Sequence, residues 1–244
     1  PSSVSIQSAH MVINYSQMTY NNQWRLKRWS HGARFQIALD LSRRFVPSPR
    51  NILDYGAGDG HFAHILRAAN PDTKVVAFDP GHSMTSALKA KAAVDAGLSV
   101  VFRKEEIGGT YDTIFCLEVL EHLQDDEILR ALDLWRSHLR KGGVAIVSVP
   151  IETGLGGLLK TAARFGIGES HREGHSSREM CKAVFGFEID RGQDSYIGSH
   201  IGFSHSRLRR LLQKSGVTIR QTRYSPMPWT GPINSQCLWV LSFA

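Results

Sequence analysis

Between residues 54 and 60 the chain reads Asp54-Tyr-Gly56-Ala57-Gly58-Asp-Gly60. Glycines at alternate positions let the backbone turn sharply and let a ligand lie against the main chain with no side chain between them. A dinucleotide fingerprint needs its third glycine at position 61, where His61 stands. The spacing is instead G-x-G-x-G behind an acidic residue. Nineteen residues past Gly60 comes Phe78-Asp79-Pro80. A carboxylate at such a strand end can accept hydrogen bonds from both hydroxyls of a ribose. An isolated Asp there is more often a helix cap, but behind this glycine loop the ribose reading is favoured. These residues suit a nucleoside and offer no grip for a pyrophosphate.

A third motif is Glu118-Val-Leu-Glu121-His122. If it forms a helical turn, residues 118, 121 and 122 share one face through i,i+3 and i,i+4 spacing. Two carboxylates and an imidazole could then bind a hard divalent cation such as Mg²⁺. The same group without metal leaves His122 as a general base, or as a residue that caps or lines the site. His171, His175 and His205 read as surface or covering residues, and Cys116, in an apolar run, as a small core residue.

The elements that must hold these motifs alternate in type. Residues 51–55, 74–78, 98–102, 111–117 and 142–149 are apolar strand-like runs bounded by turn residues. Helical patterns lie between them at 61–70, 83–96 and 127–139, and Gly97 gives a C-terminal stop. Such alternation predicts a parallel sheet with right-handed crossovers and helices on both faces. A helix is expected over 31–45, preceded by the aromatic residues Tyr15, Tyr20, Trp24 and Trp29. After residue 203 a helix over 206–216 leads into strands at 217–225 and 236–244. Two strands in direct succession predict one antiparallel strand near the end.

The 244 residues carry 29 basic and 22 acidic side chains, a formal charge of +7. A basic surface permits anionic partners. The cations are dispersed, however: Arg25, Lys27, Arg28, Arg34, Arg43 and Arg44 lie early, and Arg207, Arg209, Arg210, Lys214, Arg220 and Arg223 lie late. Both groups fall in helices or their flanks and read as solvated basic faces, so nucleic acid is disfavoured. Cys116, Cys181 and Cys237 include no C-x-x-C pair, which argues against a zinc ribbon or a disulfide framework. Without a secretory signal or a run long enough to span a bilayer, a cytoplasmic globular protein is expected.

Taken in order, D-x-G-x-G-x-G, the acidic strand end, YDTIFCLEVLEHL and LRKGGVAIVSVP resemble the class I S-adenosylmethionine-dependent methyltransferases. The similarity spans about residues 45–150 and more weakly 198–243, and points to the small-molecule branch that includes ubiquinone-biosynthesis O-methyltransferases. The resemblance implies a Rossmann-like seven-stranded α/β sheet, order 3-2-1-4-5-7-6, with strand seven antiparallel. It implies that Asp54, Gly56, Ala57, Gly58 and Gly60 hold the methionine end of the cofactor and that Asp79, with Pro80, holds the ribose. Glu105 or Glu106 then contacts the adenine, and Cys116, Leu117 and Glu118 lie under the methionine. Related enzymes carry a further His near the last helix, which adds His200 to Glu118, Glu121 and His122 as metal ligands, or to Glu121 and His122 as a catalytic group. Residues 1–48 become an N-terminal helical cap, 49–150 the cofactor-binding core and 151–203 a substrate cover. Residues 204–244 complete the sheet.

The expected activity is methyl transfer to a small molecule, with a hydroxyl as the acceptor atom. That acceptor could be anionic, nucleotide-linked or lipid-linked. Metabolite N- or C-methylation and 2′-O-methylation of RNA 3′ ends are the alternatives. No [DNS]-P-P-[YF] follows the fourth strand, which argues against exocyclic-amine methyltransferases.

Overall fold

The computed structural model describes residues 25–81, 85–152, 203–231 and 234–243, with 25–28 described by their backbone alone. Helix α1 (Arg25–Phe45) leads into β1 (Asn51–Tyr55), α2 (His61–Ala69), β2 (Lys74–Phe78), α3 (Thr85–Ala93) and β3 (Leu98–Val101). After β4 (Tyr111–Leu117) come α4 (Asp125–His138), β5 (Leu139–Pro150), α5 (His205–Lys214), β6 (Val217–Ser225) and β7 (Gln236–Phe243). Short 3₁₀ turns at Lys104–Glu106 and Leu120–His122 follow β3 and β4. The strands form one seven-stranded sheet in the order β3-β2-β1-β4-β5-β7-β6. Neighbours from β3 to β5 are parallel, and β7 runs antiparallel to both β5 and β6. The expected doubly wound sheet with one antiparallel strand is therefore present.

Alternating side chains divide the core between the two faces. On one face Leu53, Tyr55, Ile114, Cys116, Ala145, Val147 and Trp239 pack with Trp135 of α4 and Leu208 and Leu212 of α5. On the other, Ile52, Val75, Phe115, Ile146 and Val240 meet Phe35 and Ala38 of α1, Phe62 and Leu66 of α2 and Leu88 of α3. Cys116 is the core residue its surroundings suggested, with burial pushing its thiol pKa well up. Helix α1 thus covers the sheet itself.

At the edge of the sheet where the parallel strands begin, the Asp112 carboxylate draws three strands together. It accepts the N–H groups of Arg50 and Asn51 at 2.8 and 2.9 Å, and pairs with Arg140 at 2.8 Å. At the opposite edge the parallel strands end, and every motif singled out above that is described lies there. Residues 1–24 and 153–202, which contain His171, His175, Cys181, His200 and most of the expected cover, fall outside the described residues.

Candidate active site

The glycine loop leaves β1 and is fastened at once to β2. Gly56 N and Ala57 N both donate to the Phe78 carbonyl, at 2.8 and 2.9 Å. Gly56, Gly58 and Gly60 all have positive φ, at 84°, 55° and 75°. At Gly56 the lack of a side chain is also a packing requirement, because a Cβ there would run into the Val119 side chain. That approach brings the turn after β4 against the loop after β1. Position 61, where a dinucleotide motif has glycine, starts α2, and His61 packs its ring 5.9 Å from that of Phe35.

Asp79 follows β2 and faces this loop. Its carboxylate accepts from Gly58 N and from Gly81 N, each at 2.7 Å. Burial raises its pKa, and the two backbone bonds oppose the rise. Each carboxylate oxygen has a second lone pair, so ribose hydroxyls can still be accepted. Asp54, the acid ahead of the glycines, is 3% exposed and its Oδ2 has no hydrogen-bond partner among the described residues. Burial, and then the charge of Asp79, push its pKa up to about 7. A glycine cradle, an ionisable pair and an orphaned buried oxygen are what a bound polar ligand would complete.

The segment after β4 differs from a helical turn. Glu118 lies outside the 3₁₀ turn and has φ 57°, the one non-glycine residue with positive φ among those described. Its backbone N–H is shared between the Ser148 carbonyl at 3.0 Å and the Ser148 hydroxyl at 3.1 Å. Its carboxylate accepts from Ser148 Oγ at 3.0 Å and from Gln236 Nε2 at 3.2 Å, and lies 3.6 Å from Arg34 Nη1. Glu121 is fully buried in the turn itself, and His122 closes that turn with its N–H on the Val119 carbonyl at 3.0 Å.

The shared helical face of residues 118, 121 and 122 is therefore not formed. No group of three or more His, Cys, Asp or Glu side chains among the described residues is placed to hold a metal ion. Glu118 is held by Ser148 and Gln236, apart from the turn that carries Glu121 and His122. His200 lies outside the described residues.

The two candidates for the adenine differ in what they do. Both are exposed, but Glu106 turns its carboxylate back onto Phe102 N, Arg103 N and Arg103 Nε, at 3.1, 3.3 and 2.8 Å. Glu105 stands exposed beside it.

Arg34, read from sequence as part of a solvated basic face, is only 3% exposed. Its Nε and Nη1 have no hydrogen-bond partner among the described residues, although the guanidinium sits beside Glu118 and over the Phe35 ring. The signal was present: Arg34 stands four and seven residues before the buried Ala38 and Leu41, on the inward stripe of α1. Ser148 and Gln236 were also missed. They come from the ends of β5 and β7, and nothing local marks them.

A glycine loop and acidic strand end at the carboxyl edge of a 3-2-1-4-5-7-6 sheet define a nucleoside-binding α/β enzyme fold. A methyltransferase-domain family model matches residues 29–222, and the chain belongs to that family. Solved structures agree on the fold. Magnesium protoporphyrin IX methyltransferase from Synechocystis PCC 6803, with bound SAH, superposes with TM-score 0.58 at 16% identity, covering 93% of this chain and 92% of that one. An S-adenosylmethionine-dependent methyltransferase from Clostridium acetobutylicum ATCC 824 gives 0.58 at 14% identity over 94% and 96% of the two chains. The N-methyltransferase NodS from Bradyrhizobium japonicum WM9 gives 0.55 at 13% identity over 86% and 94%. No curated protein sequence matches the chain. No helix among the described residues is long and apolar enough to cross a membrane.

Proposed function

We propose that this chain transfers the methyl group of S-adenosylmethionine to a hydroxyl of a small molecule. The observation that carries the reading is the pair formed by buried Arg34 and half-buried Glu118 after β4. Arg34 Nε and Nη1 make no hydrogen bond among the described residues. Beside the Glu118 carboxylate 3.6 Å away, the guanidinium therefore has donors left for a second anion, and that carboxylate has lone pairs left for a second cation. The methionine end of the donor carries both, a carboxylate for Arg34 and an ammonium for Glu118. Asp79 takes the ribose, Asp54 and the glycine loop take the methionine end, and Glu105 takes the adenine because Glu106 spends its carboxylate on Phe102 and Arg103.

When bound, the donor supplies a sulfonium-activated methyl carbon, so the transfer is a displacement that depends chiefly on placement. The chain's own work is to hold the donor's charged end and to take the proton of an acceptor hydroxyl as the new bond forms. His122 is assigned that proton, with Glu121 buried beside it in the turn. The finer resemblance to ubiquinone-type O-methyltransferases supports a hydroxyl acceptor, and the named neighbours, a protoporphyrin methyltransferase and an N-methyltransferase, show that the fold alone does not fix the acceptor. The positive net charge favours an anionic acceptor, nucleotide-linked or lipid-linked. A cytoplasmic setting fits the buried free thiols Cys116 and Cys237.

Calorimetry with S-adenosylhomocysteine, the demethylated product, tests the donor. The wild type should bind it, and Arg34→Ala should weaken binding about tenfold or more, the scale of a charge-assisted hydrogen bond. Unchanged affinity in Arg34→Ala overturns the assignment of Arg34. Transfer of label from methyl-labelled donor to a set of hydroxylated, amino and carboxyl compounds then tests the acceptor atom.

A further inference from the structure

We propose that Ser148 and Gln236 are positioning residues that aim the Glu118 carboxylate at the donor's ammonium, which makes the antiparallel strand β7 a working part of the cofactor site. The inference rests on the reading that Glu118 meets that ammonium. Glu118 carries a side chain yet sits in the left-handed region, a conformation that persists only where neighbours over-determine it. Ser148 does so twice over. Its hydroxyl accepts from the Glu118 N–H at 3.1 Å and donates to Glu118 Oε1 at 3.0 Å, which locks backbone and side chain together. Gln236 Nε2 then holds the second oxygen, Oε2, at 3.2 Å. The carboxylate is thereby fixed at both oxygens from two different strands.

Gln236 gives the stronger argument. It is 7% exposed, and its Oε1 is buried with no hydrogen-bond partner among the described residues. An amide buried with half its polar capacity unmet costs stability that an apolar side chain of similar size would avoid. Its orientation is dictated, because turning the amide over would set Oε1 against the Glu118 carboxylate. The paired register of Ser225 with Gln236 puts another buried, unpartnered oxygen, Ser225 Oγ, at the neighbouring position. A fold selected only for packing would place an apolar residue at position 236. What the glutamine supplies is one N–H on Glu118.

The test compares two ligands in three proteins. S-adenosylhomocysteine carries the amino-acid end, and 5′-methylthioadenosine shares the nucleoside and sulfur but lacks the ammonium and carboxylate. Affinities are measured by calorimetry for the wild type, Gln236→Met and Ser148→Ala, with thermal melting of each. Both variants should bind S-adenosylhomocysteine about tenfold more weakly and 5′-methylthioadenosine within about twofold of the wild type. Gln236→Met should melt no lower than the wild type. Equal loss of both ligands marks a merely structural role and overturns the proposal, as does unchanged affinity for S-adenosylhomocysteine. A wild type that binds neither ligand removes the methyl-donor reading, and this inference with it. A wild type that binds the two equally removes only the aiming of Glu118.

Discussion

The Asp79 carboxylate accepts the backbone N–H of Gly58 at 2.7 Å, so the end of β2 holds the loop that leaves β1. One side chain thereby shapes the cradle to which the proposed reading assigns the ribose. Its other oxygen caps the Gly81 N–H, which fixes its angle across the strand ends.

Asp79→Ala should therefore do two things. The loop loses a charge-assisted bond, and any ribose loses its acceptor, each worth roughly 1.5–3 kcal/mol. Affinity for S-adenosylhomocysteine should fall at least about tenfold, and affinity for adenosine should fall with it because the ribose is common to both. Calorimetry with both ligands reads this. A loss confined to S-adenosylhomocysteine would move Asp79 away from the ribose.

Gly56→Ala should weaken cofactor binding through two separable strains. The added Cβ meets the Val119 side chain, and φ 84° is unfavourable for an L residue by about 1–2 kcal/mol. Adding Val119→Ala relieves the collision and leaves the backbone strain. The double variant should bind S-adenosylhomocysteine better than Gly56→Ala alone and worse than the wild type. If Val119→Ala restores nothing, the packing of the two turns is irrelevant to the site.

How much of this was legible beforehand depends on how local each signal is. The bounds of β1, β2, β4 and β6 match the strands read from sequence, and glycine or proline closes three of them, at Gly56, Asp79-Pro80 and Pro226. The glycine loop and Asp79 were equally plain, since both follow strands within a single βαβ unit. Glu118 misled: E-V-L-E-H has helical spacing, but the chain takes a left-handed step before its 3₁₀ turn. The partners that cause this lie far off, Ser148 by 30 residues and Gln236 by 118. No local pattern carries such contacts. Arg34 was legible in principle, as a cation on an apolar stripe, and was hidden by the basic residues around it.

Asp112 should matter for stability and not for the site. Asp112→Ala frees two backbone N–H groups and the Arg140 pair at the edge of the sheet remote from the glycine loop. Unfolding free energy should fall by about 2 kcal/mol or more. Affinity for S-adenosylhomocysteine, measured well below the melting transition, should stay within about twofold. A large affinity loss in a cooperatively folded variant would show that the two edges are coupled.

Asp54 makes stability depend on pH with a definite sign. Its pKa rises from the ordinary aspartate value of 3.8 to about 7 in the fold, from burial first and Asp79 second. Between those values the folded chain holds a proton that the unfolded chain has lost, so this residue's contribution to stability falls as pH rises through that window. Above about pH 7 the buried charge costs on the order of a few kcal/mol. Asp54→Asn should flatten this dependence and raise the melting temperature at pH 8 relative to the wild type, while lowering affinity for S-adenosylhomocysteine. Melting curves from pH 4 to 8 check it, and an unaltered pH slope in Asp54→Asn would assign the dependence to another group.

His122 bears the catalytic assignment. It ends the 3₁₀ turn that follows Glu118, held by its N–H on the Val119 carbonyl, and Val119 is the residue that touches the glycine loop. That chain of contacts places the His122 backbone in the turn that directly follows the carboxylate assigned to the donor's ammonium. Loss of a general base lowers turnover by about 10²–10⁴-fold, so His122→Ala should depress kcat on a hydroxyl acceptor by that order and leave the affinity for S-adenosylhomocysteine within about twofold. His122→Gln, which can hydrogen-bond but cannot take a proton at neutral pH, should be nearly as slow. Chelator should leave the wild-type rate unchanged, because no three metal-ligating side chains come together among the described residues. Full turnover in His122→Ala would assign the proton to another group. Activity lost to chelator and restored by Mg²⁺ would instead require a ligand set that reaches beyond the described residues.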